Sequence, residues 1–237
     1  MLTMGNDKYA NKYDMIVQKH EWVAPDVLFG ATYEFVKPGE TLLDLGIGTG
    51  LSSVLFQKAG LKVSGMDIST EILEICEAKS IASELTTHDF SNLPFPYENS
   101  SFDCIVSTGV FSLFEDISSF FVESGRIIRE GGIFAFVAED RKEGESGIYL
   151  LKRNDPTSTP KTHYRHSRTR IHELLHDNGF VPRKIFRFES LKGLVLENGE
   201  ESLFSTVYVA QKGAGHSHGK GRHDGPSGNR RHGTECH

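Results

Sequence analysis

The sequence lacks a long hydrophobic segment, since no stretch of its 237 residues approaches the roughly 18 apolar residues that span a bilayer. It also has little cysteine: Cys76, Cys104 and Cys236 form no CxxC pair, which argues against a disulfide framework and fits a reducing compartment. An excess of positive charge is missing too, because the formal net charge is −6, and this excludes the broadly basic nucleic-acid binders. The polar first residues show no signal peptide pattern. We therefore expect a cytoplasmic protein without a membrane or nucleic-acid partner.

The C-terminal residues 213–237 differ from the rest of the chain in composition. They are rich in glycine and histidine and contain no aliphatic side chain larger than alanine. Such a segment cannot bury enough apolar surface to offset the entropy lost on ordering, so we predict a disordered tail. The spacing of its histidines matches no standard zinc site, and we predict no metal site there.

Signals for strands and helices alternate along residues 41–138. Short apolar runs predict strands at Thr41–Leu45, Leu61–Met66, Glu84–Thr87, Phe102–Ser107 and Ile133–Ala138. Periodic and capping signals predict helices at Leu51–Ala59, Ser69–Lys79 and Ile117–Arg129. This alternation predicts an α/β protein whose parallel sheet has helices on both faces.

The remaining segments are not strictly alternating. A helix is predicted at Thr169–Asp177, and two strand-like segments, Phe180–Glu189 and Leu203–Gln211, follow it with no helix between them, which indicates a hairpin-like pair. Two helical segments, Lys8–Lys19 and Pro25–Val36, precede the first strand. We divide the chain into an N-terminal helical cap, a ligand-binding domain and the tail, at residues 1–36, 37–212 and 213–237.

A glycine-rich turn follows the first strand and is the strongest motif. Asp44 is followed by Gly46, Gly48 and Gly50, and this GxGxG spacing differs from the dinucleotide GxGxxG because position 51 is Leu. Glycines at alternate positions allow a sharp turn and a close ligand. A carboxylate just before the turn would repel a pyrophosphate and suits a ligand that carries positive charge.

Two further acids follow the next two predicted strands. Asp67 lies 21 residues after Gly46, the separation expected of an acid that binds ribose hydroxyls. Asp89, after the third strand, could accept a hydrogen bond from an adenine amine, with Phe90 beside the ring. Acids at successive strand ends face one crevice, which is where open α/β sheets bind ligands. Because NAD also contains ribose, a nucleotide-dependent oxidoreductase stays an alternative.

These motifs together resemble a known family. The runs LLDLGIGTG, GMDIS, HDFSNLPFPYENSSFDCIVSTGVF and IFAFVAED resemble the class I S-adenosylmethionine-dependent methyltransferases, above all the small-molecule type 11 group. The resemblance covers about residues 9–140 by motif and 168–211 by element order. It implies a Rossmann-like, seven-stranded, mostly parallel sheet with an antiparallel last strand, and S-adenosylmethionine as the cofactor.

The resemblance also implies roles for particular residues. The glycines would hold the methionine and ribose parts of the cofactor, Ser107 and Thr108 would lie beside the sulfonium with Gly109, and Tyr13 would close over the methionine end. The implied cofactor-binding set is Tyr13, Asp44, Gly46, Gly48, Gly50, Asp67, Ile68, Asp89, Phe90, Ser107 and Thr108.

The acceptor side is less marked in the sequence. Methyl transfer needs a base only when the acceptor arrives protonated. Residues 141–166 show no clear periodicity and are interpreted as a lid or substrate insert, whose basic residues suit an anionic small molecule. The acceptor-side candidates are Glu139, Tyr149, His163 and His166. We therefore predict a small-molecule methyltransferase, with a non-catalytic cofactor-binding module as a further alternative.

Overall fold

The structure is a computed structural model. It describes residues 14, 21–141, 144, 146–151, 161–192 and 202–214. Tyr13, most of the helical segment predicted at Lys8–Lys19 and the histidines of the predicted tail therefore lie outside the described residues.

The described part of the chain alternates strands and helices up to Ala138 and is richer in strands afterwards. The helices are α1 (Ala24–Thr32), α2 (Val54–Lys58), α3 (Thr70–Ala78), α4 (Ser118–Ile127) and α5 (Arg168–Asp177), with 3-10 turns at Tyr33–Phe35 and Phe111–Leu113. The strands are β1 (Thr41–Leu45), β2 (Lys62–Asp67), β3 (Glu84–Thr87), β4 (Phe102–Ser107), β5 (Ile128–Ala138), β6 (Asp140–Arg141), β7 (Ile148–Leu151), β8 (Lys161–Tyr164), β9 (His166–Ser167), β10 (Phe180–Lys192) and β11 (Ser202–Lys212).

Within the described residues, one seven-stranded sheet organises the fold, in the order β10-β11-β5-β4-β1-β2-β3. The strands from β1 to β5 run parallel to one another, whereas β11 is antiparallel to both of its neighbours, β5 and β10. The predicted Rossmann-like sheet with an antiparallel last strand is confirmed. Because the strands β1 to β5 point the same way, the segments that follow them all emerge at one edge of the sheet.

Local sequence signals explain several element ends. Ser69 caps α3 by accepting a hydrogen bond from the backbone N–H of Ile72 at 3.3 Å, as its predicted capping role requires. Helix α2 is shorter than predicted and begins at Val54, because the chain from Gly50 to Ser53 is still completing the glycine-rich turn.

Strand β5 begins five residues earlier than the predicted start at Ile133. The predicted helix Ile117–Arg129 accordingly ends at Ile127. The cause is pairing with the preceding strand, because Ile128 already pairs with Phe102 before an irregularity in the register. Tertiary pairing here overrides the local helical pattern.

The two faces of the sheet bury different kinds of side chain. One face is rich in aromatic rings, with contacts among buried phenylalanines and Tyr208; its largest fully buried members include Phe111, Phe120, Phe121, Phe134 and Phe136. The other face is aliphatic and includes Leu28 of α1 with Leu42, Val63, Ile133 and Val207. Helix α1, which we assigned to the N-terminal cap, thus packs directly on the sheet.

The predicted insert at residues 141–166 contains regular structure among its described residues. Strands β7 and β8 form an antiparallel hairpin in which Tyr149 pairs with His163. Strand β6 pairs in parallel with β9 just beyond it. The expectation of a loop without periodicity was wrong for these strands, while the lid role of the insert stays a prediction. No described helix is long and apolar enough to cross a membrane.

Candidate functional site

The candidate site lies at the edge of the sheet where β1, β2, β4 and β5 end. Asp44 pairs with Gly65 of β2 and Val106 of β4, which places it between these strands near their carboxyl ends. Glu139 follows β5, whose Phe136 pairs with Ser107 of β4. The turns after adjacent strands therefore meet along one edge, as they do at the ligand sites of open α/β sheets.

The glycine-rich turn depends on glycine for its shape. Gly46, Gly48 and Gly50 have φ angles of 78°, 55° and 88°. At Gly46 a Cβ atom would also meet Cγ2 of Val110 at 2.1 Å, so only glycine fits between the turn and the segment after β4. The backbone N–H groups of Gly46 and Ile47 both donate to the Met66 carbonyl, at 2.7 and 3.2 Å, and tie the turn to β2.

Asp44 is the most unusual residue of the site. Its side chain is buried, and the Ser53 hydroxyl donates to Oδ2 at 2.7 Å, whereas Oδ1 is buried without a hydrogen-bond partner. Burial raises the pKa of Asp44 to about 7, and the nearby Asp67 carboxylate adds to the increase while Ser53 opposes it. An unpartnered buried carboxylate oxygen is costly. Its position just before the turn fits a ligand that brings a positive charge.

Asp67 lies beside Asp44 and is held by the backbone. It accepts hydrogen bonds from the N–H groups of Gly48 at 3.0 Å and Ser69 at 3.1 Å, and the Ile68 N–H also contributes. Burial still raises the pKa of Asp67 above its usual value. These amides use part of the carboxylate's acceptor capacity and fix its orientation at the end of β2.

The predicted adenine-binding pair is divided between the surface and the core. Asp89 is partly exposed and accepts hydrogen bonds from the Ser91 N–H at 2.9 Å and the Ser91 hydroxyl at 2.7 Å, which lower the pKa of Asp89. Phe90 is only 5% exposed and packs against Phe95, Phe114 and Phe120. Phe90 therefore belongs to the aromatic core, and only a small part of its ring is open to a ligand.

Ser107 and Thr108, at the end of β4, link the strands and turns that form the site. The Ser107 hydroxyl donates to the Leu45 carbonyl at 2.9 Å, and the Thr108 hydroxyl makes a short hydrogen bond with that of Ser52. Both side chains are buried. They link β4 to β1 and to the segment after the glycine turn, so they fix the geometry of the crevice whether or not they touch a ligand.

One contact to the glycine turn was missed by the sequence reasoning. Asp14 accepts a hydrogen bond from the Thr49 hydroxyl at 2.6 Å and pairs with Lys79, which also donates to the Thr49 carbonyl at 3.0 Å. Asp14, which directly follows Tyr13 in the sequence, therefore contacts the glycine turn. The only signal for this contact in the sequence was that Asp14 directly follows Tyr13, which was predicted to lie at the cofactor.

On the acceptor side, the structure brings Glu139, Tyr149 and His163 together. The Tyr149 hydroxyl donates a short hydrogen bond to Oε2 of Glu139, and the Tyr149 and His163 rings lie 5.3 Å apart. Ser112, which was not predicted, contacts both: its hydroxyl lies 3.3 Å from Nδ1 of His163 and is hydrogen-bonded to Tyr149. Burial raises the pKa of Glu139 to about 7, although Tyr149 and Arg165 oppose the increase.

His166 lies apart from this cluster. Its Nε2 donates to the Phe111 carbonyl at 2.9 Å, its backbone N–H donates to the Glu139 carbonyl at 2.9 Å, and burial lowers the pKa of its imidazole. The side chain thus supports the 3-10 turn that carries Ser112. Of the four acceptor-side candidates, His166 is the one whose described contacts are structural.

Comparison with known proteins agrees with this geometry. Residues 43–136 match the family model described as a methyltransferase domain. A demethylmenaquinone methyltransferase of Tropheryma whipplei is 31% identical over 97 residues, a match that covers 41% of each chain. Residues 43–136 are thus similar to the methyltransferase domains of the class I, type 11 group. The predicted family resemblance is confirmed, although the chain spans only about two fifths of the length of the first curated relatives it matches.

Solved structures show the same fold over most of the chain. An S-adenosylmethionine-dependent methyltransferase of Methanosarcina mazei has a TM-score of 0.64 at 20% identity, covering 77% of this chain and 97% of the other. The magnesium protoporphyrin IX methyltransferase of Synechocystis, solved with bound S-adenosylhomocysteine, has a TM-score of 0.58 at 18% identity, covering 79% and 80%. At these identities the likeness shows the fold alone.

Proposed function

We propose that this chain transfers a methyl group from S-adenosylmethionine to a small-molecule acceptor. The observation that carries the proposal is the unpartnered Oδ1 of Asp44, buried beside the glycine turn at the end of β1. The methionine part of the cofactor carries an ammonium group, and such a cation supplies the missing partner to the carboxylate. The methyltransferase domain match of residues 43–136 supports the same assignment.

The other contacts of the cofactor follow from their places along the crevice. Gly48 has space where a Cβ would be, with no atom closer than 3.9 Å, so a ligand can approach the backbone of the turn. Asp67 has an oriented carboxylate for the ribose hydroxyls, and partly exposed Asp89 is available to the adenine amine. The cofactor supplies an electrophilic methyl group on a sulfonium, while these residues bind it and fix its direction.

The acceptor would enter between the turn after β4 and the β7–β8 hairpin. Arg165 lies 4.8 Å from the centre of the Tyr149 ring, and Arg141 lies nearby on β6. These guanidinium groups favour an acceptor that carries negative charge. The similar proteins include a demethylmenaquinone methyltransferase and a magnesium protoporphyrin IX methyltransferase, whose names refer to small-molecule acceptors, and this supports a small-molecule acceptor here.

Isothermal titration calorimetry with S-adenosylhomocysteine tests the proposal. We expect one site on the wild type and an affinity lower by on the order of 30-fold or more in Asp44→Asn, because the buried charge partner of the ammonium is lost. The exposed Asp177→Asn change is the matched control and leaves the affinity unchanged. Absence of binding to the folded wild type, or equal binding by Asp44→Asn, contradicts the proposal.

A further inference from the structure

The acceptor side contains a continuous chain of hydrogen-bonded groups. Nδ1 of His163 lies 3.3 Å from the Ser112 hydroxyl, Ser112 is hydrogen-bonded to the Tyr149 hydroxyl, and Tyr149 donates to Oε2 of Glu139. Ser112 is buried, and Tyr149 and Glu139 are half-buried. The chain therefore connects β8, the turn after β4, β7 and the end of β5 through groups that can all exchange protons.

This chain adjoins the glycine turn through the segment after β4. Val110, two residues before Ser112, occupies the space beside Gly46 so closely that a Cβ there would be 2.1 Å from its Cγ2. Glu139 follows β5, the immediate neighbour of β4. The hydrogen-bonded chain is thus next to the place where the resemblance sets the reactive end of the cofactor, on the side away from Asp67.

We propose that Glu139 is the final proton acceptor for an acceptor molecule with a phenol or enol hydroxyl, and that Tyr149 passes the proton to it. This inference rests on the proposed function. The acceptor oxygen forms a bond to the methyl carbon as the carbon–sulfur bond breaks, and the bonding electron pair goes to sulfur. The hydroxyl proton moves to the Tyr149 oxygen while the Tyr149 proton moves to Glu139, so Tyr149 stays neutral and Glu139 becomes the carboxylic acid.

The surroundings of Tyr149 and Glu139 suit a proton relay and a base, respectively. Burial and the adjacent Glu139 carboxylate hold the pKa of Tyr149 well above its usual range, so the phenol relays a proton but does not stay ionised. Burial brings the pKa of Glu139 close to neutrality, where a base works best. Arg165 is the described cation that acts on both groups and favours negative charge as it develops on the acceptor oxygen.

The chemistry also selects the class of acceptor. A phenol or enol is mostly protonated near neutral pH and gains from a positioned base, whereas a thiolate or a carboxylate already holds the reactive electron pair and needs none. A hydrogen-bonded base beside the proposed methyl-donor site therefore favours a hydroxyl acceptor over a thiolate or a carboxylate.

The test uses 4-hydroxybenzoate, catechol and 4-mercaptobenzoate as probe acceptors, with S-adenosylhomocysteine formation as the readout and calorimetric binding of S-adenosylhomocysteine as a separate check of the cofactor site. We expect turnover of the hydroxyl probes with a kcat that rises through about pH 7. Glu139→Gln and Tyr149→Phe should each lower kcat about 100-fold or more, and Glu139→Gln should remove the pH dependence. Exposed Glu115→Gln and Tyr33→Phe are the matched controls.

The outcomes separate this inference from the proposed function. If Glu139→Gln and Tyr149→Phe change only KM or thermal stability and leave the pH profile of kcat intact, the pair has a structural role and the inference is overturned. It is also overturned if the protein binds S-adenosylhomocysteine but methylates only the thiol or none of the probes. Failure to bind S-adenosylhomocysteine instead contradicts the proposed function itself.

Discussion

Two carboxyl groups at the same edge of the sheet, Asp44 and Glu139, have similar acidity but different surroundings. Burial raises the pKa of each to about 7. Asp44 has one oxygen with no partner in the protein, whereas Glu139 is hydrogen-bonded to Tyr149 and lies near Arg165. Burial therefore raises the pKa of both groups, but their partners differ: Asp44 has a free acceptor oxygen, which we propose pairs with a cationic ligand, and Glu139 accepts a hydrogen bond from Tyr149.

The largest loss of stability is expected in the glycine turn that follows Asp44. Gly46→Ala should lower the free energy of unfolding by about 3–4 kcal/mol, because a left-handed backbone costs roughly 1–2 kcal/mol and overpacking against Val110 adds to it. Gly131→Ala is the matched control: its φ of 77° is similar, but a Cβ there meets open space, so it should cost about 1 kcal/mol. Urea unfolding measures both, and equal losses would break the argument from close packing.

At Asp44, a smaller effect is expected, on the free energy of unfolding, and it can be measured apart from ligand binding. A buried carboxyl whose folded pKa is raised stabilises the fold while protonated, and this contribution is lost as the pH rises from the unfolded value near 3.8 to about 7. Asp44→Asn removes the charge and should raise the free energy of unfolding by about 2 kcal/mol at pH 8, and by much less at pH 5. Thermal unfolding at the two pH values checks this, and a destabilised variant at pH 8 would show that the charge is compensated within the protein.

The smallest change in stability is expected on the Glu139 side. Tyr149→Phe removes the hydroxyl that is hydrogen-bonded to Glu139 and Ser112 and should cost about 1 kcal/mol of unfolding free energy. It should leave the affinity for S-adenosylhomocysteine within about twofold, because the contacts of Asp44 and Asp67 do not involve the hairpin. A large loss of S-adenosylhomocysteine affinity, measured by calorimetry, would mean that the two sides are coupled.

The sequence was sufficient to predict the sheet and to place the glycine turn, Asp44 and Asp67 at the ends of neighbouring strands, whereas their roles toward the cofactor stay predictions. Short buried strands and the cap at Ser69 are local signals, and the glycine turn with Asp44 and Asp67 has a fixed spacing. These features are set by residues close together in the chain, and backbone physics alone relates them. The fold class could therefore be predicted from these local signals, and the family from the resemblance of the motifs to the class I methyltransferases.

The acceptor side could be predicted only in part, because it depends on contacts distant in sequence. Tyr149 meets Glu139 and Ser112 through a hairpin whose first strand, at residues 148–151, is short and apolar, whereas its second strand, at residues 161–164, is mostly polar and gives no strand signal. Ser112 gave no signal, since a serine after a strand has many roles. Phe90 is the opposite case: its position suggested a ligand contact, but the surrounding phenylalanines draw it into the core.

The most direct measurement is the number of protons released when S-adenosylhomocysteine binds, obtained by calorimetry at pH 7 in buffers with different ionisation enthalpies. Because about half of the Asp44 carboxyl groups are protonated near their pKa, pairing with the ligand's ammonium should release roughly half a proton from the wild type. The Asp44→Asn variant should lack this release. Equal proton release by the two proteins, or none by the wild type, would contradict the claim that the unpartnered oxygen of Asp44 binds the cationic end of the cofactor.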